Sequence, residues 1–242
     1  LVVGNARSGT TLLGALLDSF PSVILANETS ASVQLWENLS REEIVNQLCA
    51  KAELDYQSNR FSEGYEFAMG GSPWNKSDVQ IIGDKIFNPS LLLLLGKYSL
   101  IPSLEERLQL PFFFIHSIRN PFDVIATMHH RSGAPISNRI RWYFMHCEAA
   151  AGILERMTAS RFIHCYHEEL LLDTENTIGN LCRFLDLPIN QEHIMSLTKY
   201  LFKEPKSTRN TVHWTNENIE AIHQGIERFS FLSKYSDPRF HP

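Results

Sequence analysis

The chain has 242 residues, 43% of them hydrophobic, enough to bury the core of one large α/β domain or two small ones, and a single domain over residues 1–242 is the expectation. Its 22 Lys+Arg against 27 Asp+Glu leave a formal net charge of −5, so the surface as a whole is not a nucleic-acid binder and any anion site must be assembled locally. Four cysteines with no C-x-x-C pair argue against a zinc site or a disulfide scaffold, and no run of about 18 apolar residues is present to form a transmembrane segment.

In chain order, Leu1-Val2-Val3 is a β-forming run that breaks at Gly4 into Asn5-Ala6-Arg7-Ser8-Gly9. It resumes at Thr10-Thr11 with Leu12, Leu13, Leu16 and Leu17 at helical spacing. This reads as strand, phosphate loop and helix: Gly4 and Gly9 let the backbone turn back, and N–H groups at the helix start converge on one anion. Against the Walker A pattern G-x-x-x-x-G-K-[ST], Gly4, Gly9 and Thr11 fit, but Thr10 stands in the lysine position and the cation has moved to Arg7. Val23-Ile24-Leu25 predicts a second buried strand, with the polar turn Ala26-Asn27-Glu28-Thr29 at the carboxyl end, where open parallel sheets bind ligands. Ser40-Arg41-Glu42-Glu43 is a capping box that opens a helix to about Ala52. The aperiodic stretch from Leu54 to Lys76 predicts an irregular lobe, whose aromatic-rich part from Phe61 to Trp74 is available to shape an acceptor pocket.

Ile81 to Lys85 reads as a third strand with a charged tip, followed by a helix from Pro89 to Lys97 capped by Asn88. Phe112 to Ile115 has the continuous apolar character of a central parallel strand. It leads through His116 and Arg119 to a helix from Pro121 to about Met128. Arg119 precedes that helix start, where a guanidinium and free N–H groups can share a phosphate; a pairing with Asp123 one turn on is the alternative. Helices are expected from Ile136 to about Met157, from His167 to Leu185 and from Glu217 to Phe231, with a strand from Arg161 to Tyr166 and a basic stretch from Lys203 to Arg209. Together these elements predict an α/β, three-layer, P-loop-like fold with a central parallel sheet flanked by helices.

The run Arg7-Ser8-Gly9-Thr10-Thr11 resembles the 5′-phosphosulfate loop of the sulfotransferases that use 3′-phosphoadenosine 5′-phosphosulfate (PAPS). Two further loci agree in order and spacing. Arg119 is followed eight residues later by Thr127, where the family carries Ser. The block from His167 to Pro188 resembles the family's Tyr-Glu-Asp-Leu and a helix closing on Phe-Leu-x-Leu-Pro, with His167 in the place of the Tyr. The resemblance implies that Arg7, Ser8, Gly9, Thr10 and Thr11 hold the 5′-phosphosulfate and that Arg119 and Thr127 grip the 3′-phosphate. It also implies that Ser207 and Arg209 close over the donor, and that no metal is needed. Glu28 before Thr29 resembles the base of the tyrosylprotein sulfotransferase branch. The cytosolic small-molecule branch instead places a His two residues beyond a Lys, and here the residue two beyond Lys85 is Phe87.

Sulfuryl transfer needs in-line positioning, cationic stabilisation of the leaving group and a base for the acceptor proton. The chain offers Glu28 as the base, on its place after the second strand and on the resemblance, Lys85 and Arg7 for the stabilisation, and His116, at a strand end near Arg119, as a rival base. The acceptor is a hydroxyl (or amine) on a small molecule, glycan, lipid or peptide. Two other readings stay open: a P-loop kinase using ATP, against which Thr10 stands, and a non-catalytic nucleotide-binding relative. Because the chain starts inside its first strand, upstream residues such as a signal or anchor are expected to have been removed. The cytoplasm is the expected compartment, or the Golgi lumen if an anchor is missing.

Overall fold

Short apolar runs with both faces to bury pair as a parallel sheet, and five do so here. They are β1 (Val2–Gly4), β2 (Val23–Asn27), β3 (Ile81–Lys85), β4 (Phe114–Ile118) and β5 (Phe162–Tyr166), in spatial order β2-β3-β1-β4-β5. The computed structural model describes residues 1–29, 33–60, 66–67, 69, 78–86, 88–201 and 204–242. Helix α1 (Thr10–Asp18) follows β1, α2 (Arg41–Gln57) follows β2, and α3 (Asn88–Gly96) and α4 (Leu100–Leu108) follow β3. After β4 come α5 (Pro121–Ser132) and α6 (Ile136–Leu154), and after β5 come α7 (His167–Leu172), α8 (Thr174–Phe184), α9 (Gln191–Leu197) and α10 (Asn216–Glu227).

The period-two alternation of a strand sends consecutive residues to opposite faces. Val3, Ile24, Ala26 and Phe114 pack with α2, α3, α4 and α6 on one side. Val2, Val23, Leu25, Ile115 and Cys165 pack with α1, α7, α8 and α9 on the other. The three-layer α/β architecture follows from that division. A third apolar cluster joins α5, α6 and α10 to Phe231, Leu232 and Tyr235. All four cysteines are free, and Cys147, Cys165 and Cys182 are buried core residues. No helix among the described residues is long and apolar enough to cross a membrane.

Several elements differ from the sequence expectation: α10 ends at Glu227, short of Phe231, and α3 starts at Asn88 itself, and three differences are larger. Strand β4 runs two residues later than the apolar run Phe112–Ile115, because its register on β1 (Val2↔Ile115, Gly4↔Ser117) draws His116 and Ser117 into the sheet. The amphipathic helix α4, with Leu100, Ile101, Leu104 and Leu108 buried, is absent from the sequence expectation. The single helix expected from His167 to Leu185 is two, divided at Asp173 (φ −137°, ψ 60°). The capping box at Ser40 and Glu43 is formed as expected, and α2 continues one turn beyond Ala52 to Gln57. Of the irregular lobe, residues 61–65, 68 and 70–77 lie outside the described residues, as do Phe87 and Lys203.

Candidate active site

The carboxyl ends of β1, β3 and β4 and the start of α1 converge on one polar region. After β1 the backbone turns through Arg7 (φ 76°) and Gly9 (φ 91°) into α1. Two close approaches dictate the glycines. A side chain on Gly4 would come within 2.4 Å of the Ser117 carbonyl, and one on Gly9 within 2.4 Å of His167 Nδ1. Gly9 offers α1 no side-chain cap, so the N–H groups of its first turn keep their hydrogen-bonding capacity for a ligand. The loop itself is braced from behind. Ser8 is buried with its hydroxyl donating to Asn5 O (2.7 Å), and Ser117 Oγ donates to Ser8 O (2.9 Å). The Asn88 amide, oriented with its nitrogen toward Gly4, donates to Gly4 O (3.1 Å) and accepts from Ala6 N (2.9 Å).

A cavity of about 360 Å³ opens over this loop and is walled in part by Arg7, Gly9, Thr10, Thr11, Arg119 and Thr127. Six of the seven residues expected at the loop and the Arg119 turn thus line it, while Ser8 supports the loop from below. Arg119 is 9% exposed; it donates to Arg7 O (3.2 Å) and Lys206 O (2.7 Å), so its plane is fixed against the loop. The alternative pairing of Arg119 with Asp123 is not formed: Asp123 bonds to Arg209 instead. Thr127 Oγ1 donates to Asp123 O one turn back. Ser207 and Arg209 do not line the cavity, and from that segment Glu204, Lys206 and Thr208 do.

Glu28 and Lys85 meet at the next strand ends. Lys85 Nζ donates to Glu28 Oε1; the lysine side chain is 8% exposed and the glutamate 42%, so a carboxylate facing solvent rests on a buried ammonium. Glu28 sits at φ 58°, a conformation that costs a non-glycine residue of order 1–3 kcal/mol and must be held by its surroundings. Glu28 N donates to Lys85 O (2.9 Å), and Thr29 N donates to both oxygens of Asp84 (3.2 and 3.3 Å). Burial pushes the Asp84 carboxyl up to about 7, against the Thr29 hydrogen bonds and the charges of Lys85 and the chain amino terminus.

Sequence reasoning named neither Asp84 nor Asn88 as part of the site, nor Arg131, His130 and Lys206 in the cavity wall. A carboxylate one residue before a candidate catalytic lysine is a readable signal; the others depend on tertiary placement. His167 also lines the cavity, its ring lying against Gly9; burial and then the Arg119 charge lower it to about 3, so it is neutral. Its Nδ1 has no hydrogen-bond partner among the described residues. His116 is 2% exposed inside β4, next to His164, and burial takes it down to about 3, which removes it as a base. Among the described residues no group of three or more His, Cys, Asp or Glu could hold a metal ion.

No protein-family model matches the sequence, and neither does any curated protein. Solved structures do. The sulfotransferase domain of the Synechococcus PCC 7002 olefin synthase superposes with a TM-score of 0.55 at 14% identity, over 92% of each chain. The chain has the sulfotransferase fold. Sulfotransferase STF9 from Mycobacterium avium (TM-score 0.54, 13% identity, 95% of this chain and 76% of that one) shares the fold. So does a sulfotransferase from Alicyclobacillus acidocaldarius (TM-score 0.51, 15% identity, 97% of each chain). At these identities the likeness concerns the sulfotransferase fold, and the chemistry has to be argued from the side chains.

Proposed function

We propose that residues 1–242 act as one sulfotransferase domain that moves a sulfuryl group from PAPS to an acceptor hydroxyl or amine. The observation that carries this is the pairing of two anion-holding points in one cavity; the Glu28–Lys85 pair, at the carboxyl ends of the neighbouring strands β2 and β3, is not among the residues that line it. The uncapped start of α1 with Arg7 suits the 5′-phosphosulfate, and Arg119 with Thr127 suits a phosphate at the other end. The cavity fits such a donor in its chemistry: it carries Arg7, Arg119, Arg131 and Lys206 against one carboxylate, Glu204. PAPS, when bound, supplies the transferable sulfuryl group and a good leaving group.

The chain's own residues then divide the work. Arg7 and the N–H groups of Gly9, Thr10 and Thr11 hold the 5′ end in line, Ser8 bracing them, and Arg119 and Thr127 fix the register of the nucleotide. Glu28 accepts the acceptor proton at its carboxylate, and Lys85, held under it, neutralises charge at the transferring group. The pairing of Glu28 with Lys85 supports a base of the tyrosylprotein type. Thr10 in place of a Walker lysine supports PAPS over ATP, since a kinase needs that cation together with a metal. Four free thiols fit a reducing compartment such as the cytoplasm.

Labelled PAPS offered with panels of phenols, glycans, sterols and tyrosine peptides tests the reading. Label is expected in one class, with no divalent metal added. Turnover of ATP with Mg²⁺ and none of PAPS would favour the kinase.

A further inference from the structure

We infer that Asp123 and Arg209 are a positioning pair, which holds segment 204–211 against α5 so that Lys206 and Thr208 stand at the wall of the donor cavity. The inference rests on reading that cavity as the donor site. Arg209 has the composition of a phosphate ligand, but its hydrogen bonds face the other way. Its Nη1 donates to Asp123 Oδ2 (2.6 Å), its backbone N to Asp123 Oδ1 (2.8 Å) and its Nε to His241 O (3.3 Å). Its own carbonyl accepts from Trp214 Nε1 (2.8 Å). The pair is sunk in the protein, with side chains 15% and 2% exposed for Arg209 and Asp123.

Two further contacts seat the same segment. Lys206 O accepts from Arg119 Nη2 (2.7 Å), and the Thr211 hydroxyl bonds to His130 Nε2 (2.7 Å). The segment thus touches α5 and the turn before it at three points, and the middle one carries the charges. Lys206 and Thr208, on the amino side of Arg209, line the cavity, whereas Arg209 does not. Burial raises the Asp123 carboxyl, and its hydrogen bonds from Arg209 and the Arg119 and Arg209 charges offset that rise in part. Removing one charge leaves the other buried and unpaired, and the segment is released. A segment already docked loses less freedom when a nucleotide arrives, which is how a residue that never touches the donor acts on its affinity.

The test uses the whole chain, trypsin, and 3′-phosphoadenosine 5′-phosphate (PAP) as the probe. Asp123→Asn is expected to raise native-state cleavage after Lys206 and Arg209 by about tenfold. PAP affinity should fall by a similar factor of about ten, with kcat at saturating donor changed less than KM for the donor. Arg209→Gln, which leaves the α5 carboxylate in place, carries the test if Asp123→Asn does not fold, with cleavage read at Lys206. The double variant should be no worse than the poorer single one, and Arg209→Lys, which keeps the charge, should recover part of the loss. Unchanged cleavage in both single variants overturns the pairing. Faster cleavage with unchanged PAP affinity overturns its link to the donor. If the wild-type chain binds no PAP, the donor-site reading falls and the donor half of the inference with it, while cleavage still decides the pair.

Discussion

At the carboxyl edge of the sheet the chain holds Arg7 and Glu28 at positive φ and buries Asn5, Asp84, Lys85 and Asn120. At the amino edge of the same strands a cavity of about 330 Å³ is walled by Leu17, Val23, Leu48, Ile81, Phe112 and Phe113 among other, mostly apolar, residues. Strained backbone and buried charge both oppose folding. At the carboxyl edge they sit where the strand ends and helix starts can address a ligand, while the amino-edge cavity contributes mostly apolar burial. Substitutions at the two edges should therefore separate turnover from stability.

The largest effect should come from the Glu28–Lys85 pair. Glu28→Gln is expected to lower kcat about 10²–10⁴-fold, with PAP affinity within about twofold of wild type; near-normal turnover would take Glu28 out of the mechanism. Next is Arg119→Ala, which removes a charge-assisted ligand from the cavity and should weaken PAP about 10–100-fold in calorimetry, with a lowered melting temperature because Arg7 O and Lys206 O lose their donor. The amino edge should behave in the opposite way. Leu48→Ala, at a residue 4% exposed, should cost about 2–3 kcal/mol and lower the melting temperature by roughly 5–10 °C, leaving PAP affinity unchanged. Loss of PAP binding in that variant would break the division between the edges.

The smallest effect sharpens the carboxyl edge itself. The folded value of Asp84, about 7, lies above the ordinary 3.8 of the unfolded chain. Its contribution to stability is therefore fully present below about pH 4 and is lost as the pH rises through about 7. Asp84→Asn can still accept from Thr29 N but cannot ionise. Its melting temperature relative to wild type should accordingly be more favourable at pH 8 than at pH 5, by differential scanning calorimetry. An equal difference at both values would mean that Asp84 is not held protonated by its burial.

Much of the fold was legible because its signals are local. The apolar runs at Val2, Val23, Ile81 and Phe162 are strands, and the Gly4-to-Thr11 punctuation is a strand–loop–helix turn. The extension of β4 through His116 and Ser117 was not, since only the pairing with β1 and β5 buries such polar residues in a strand. Arg7, Glu28, Lys85 and Arg119 were singled out in the sequence because strand ends and helix starts are where charges meet ligands, and the structure places all four at the carboxyl edge of the sheet. Arg209 was read as a ligand from its basic stretch, and its true partner, Asp123, is 86 residues away in sequence, a separation that no local pattern records. The same distance hides Asn88 behind the loop and Lys206 against Arg119.

The central claim is that this cavity holds a nucleotide with phosphate at both ends and no metal. Calorimetric titration of the wild-type chain with PAP in EDTA, and separately with ATP and Mg²⁺, tests it most directly. PAP is expected to bind at one site per chain with micromolar affinity, about −8 kcal/mol, and ATP with Mg²⁺ at least tenfold more weakly. Tight binding of ATP with Mg²⁺ and none of PAP would contradict it.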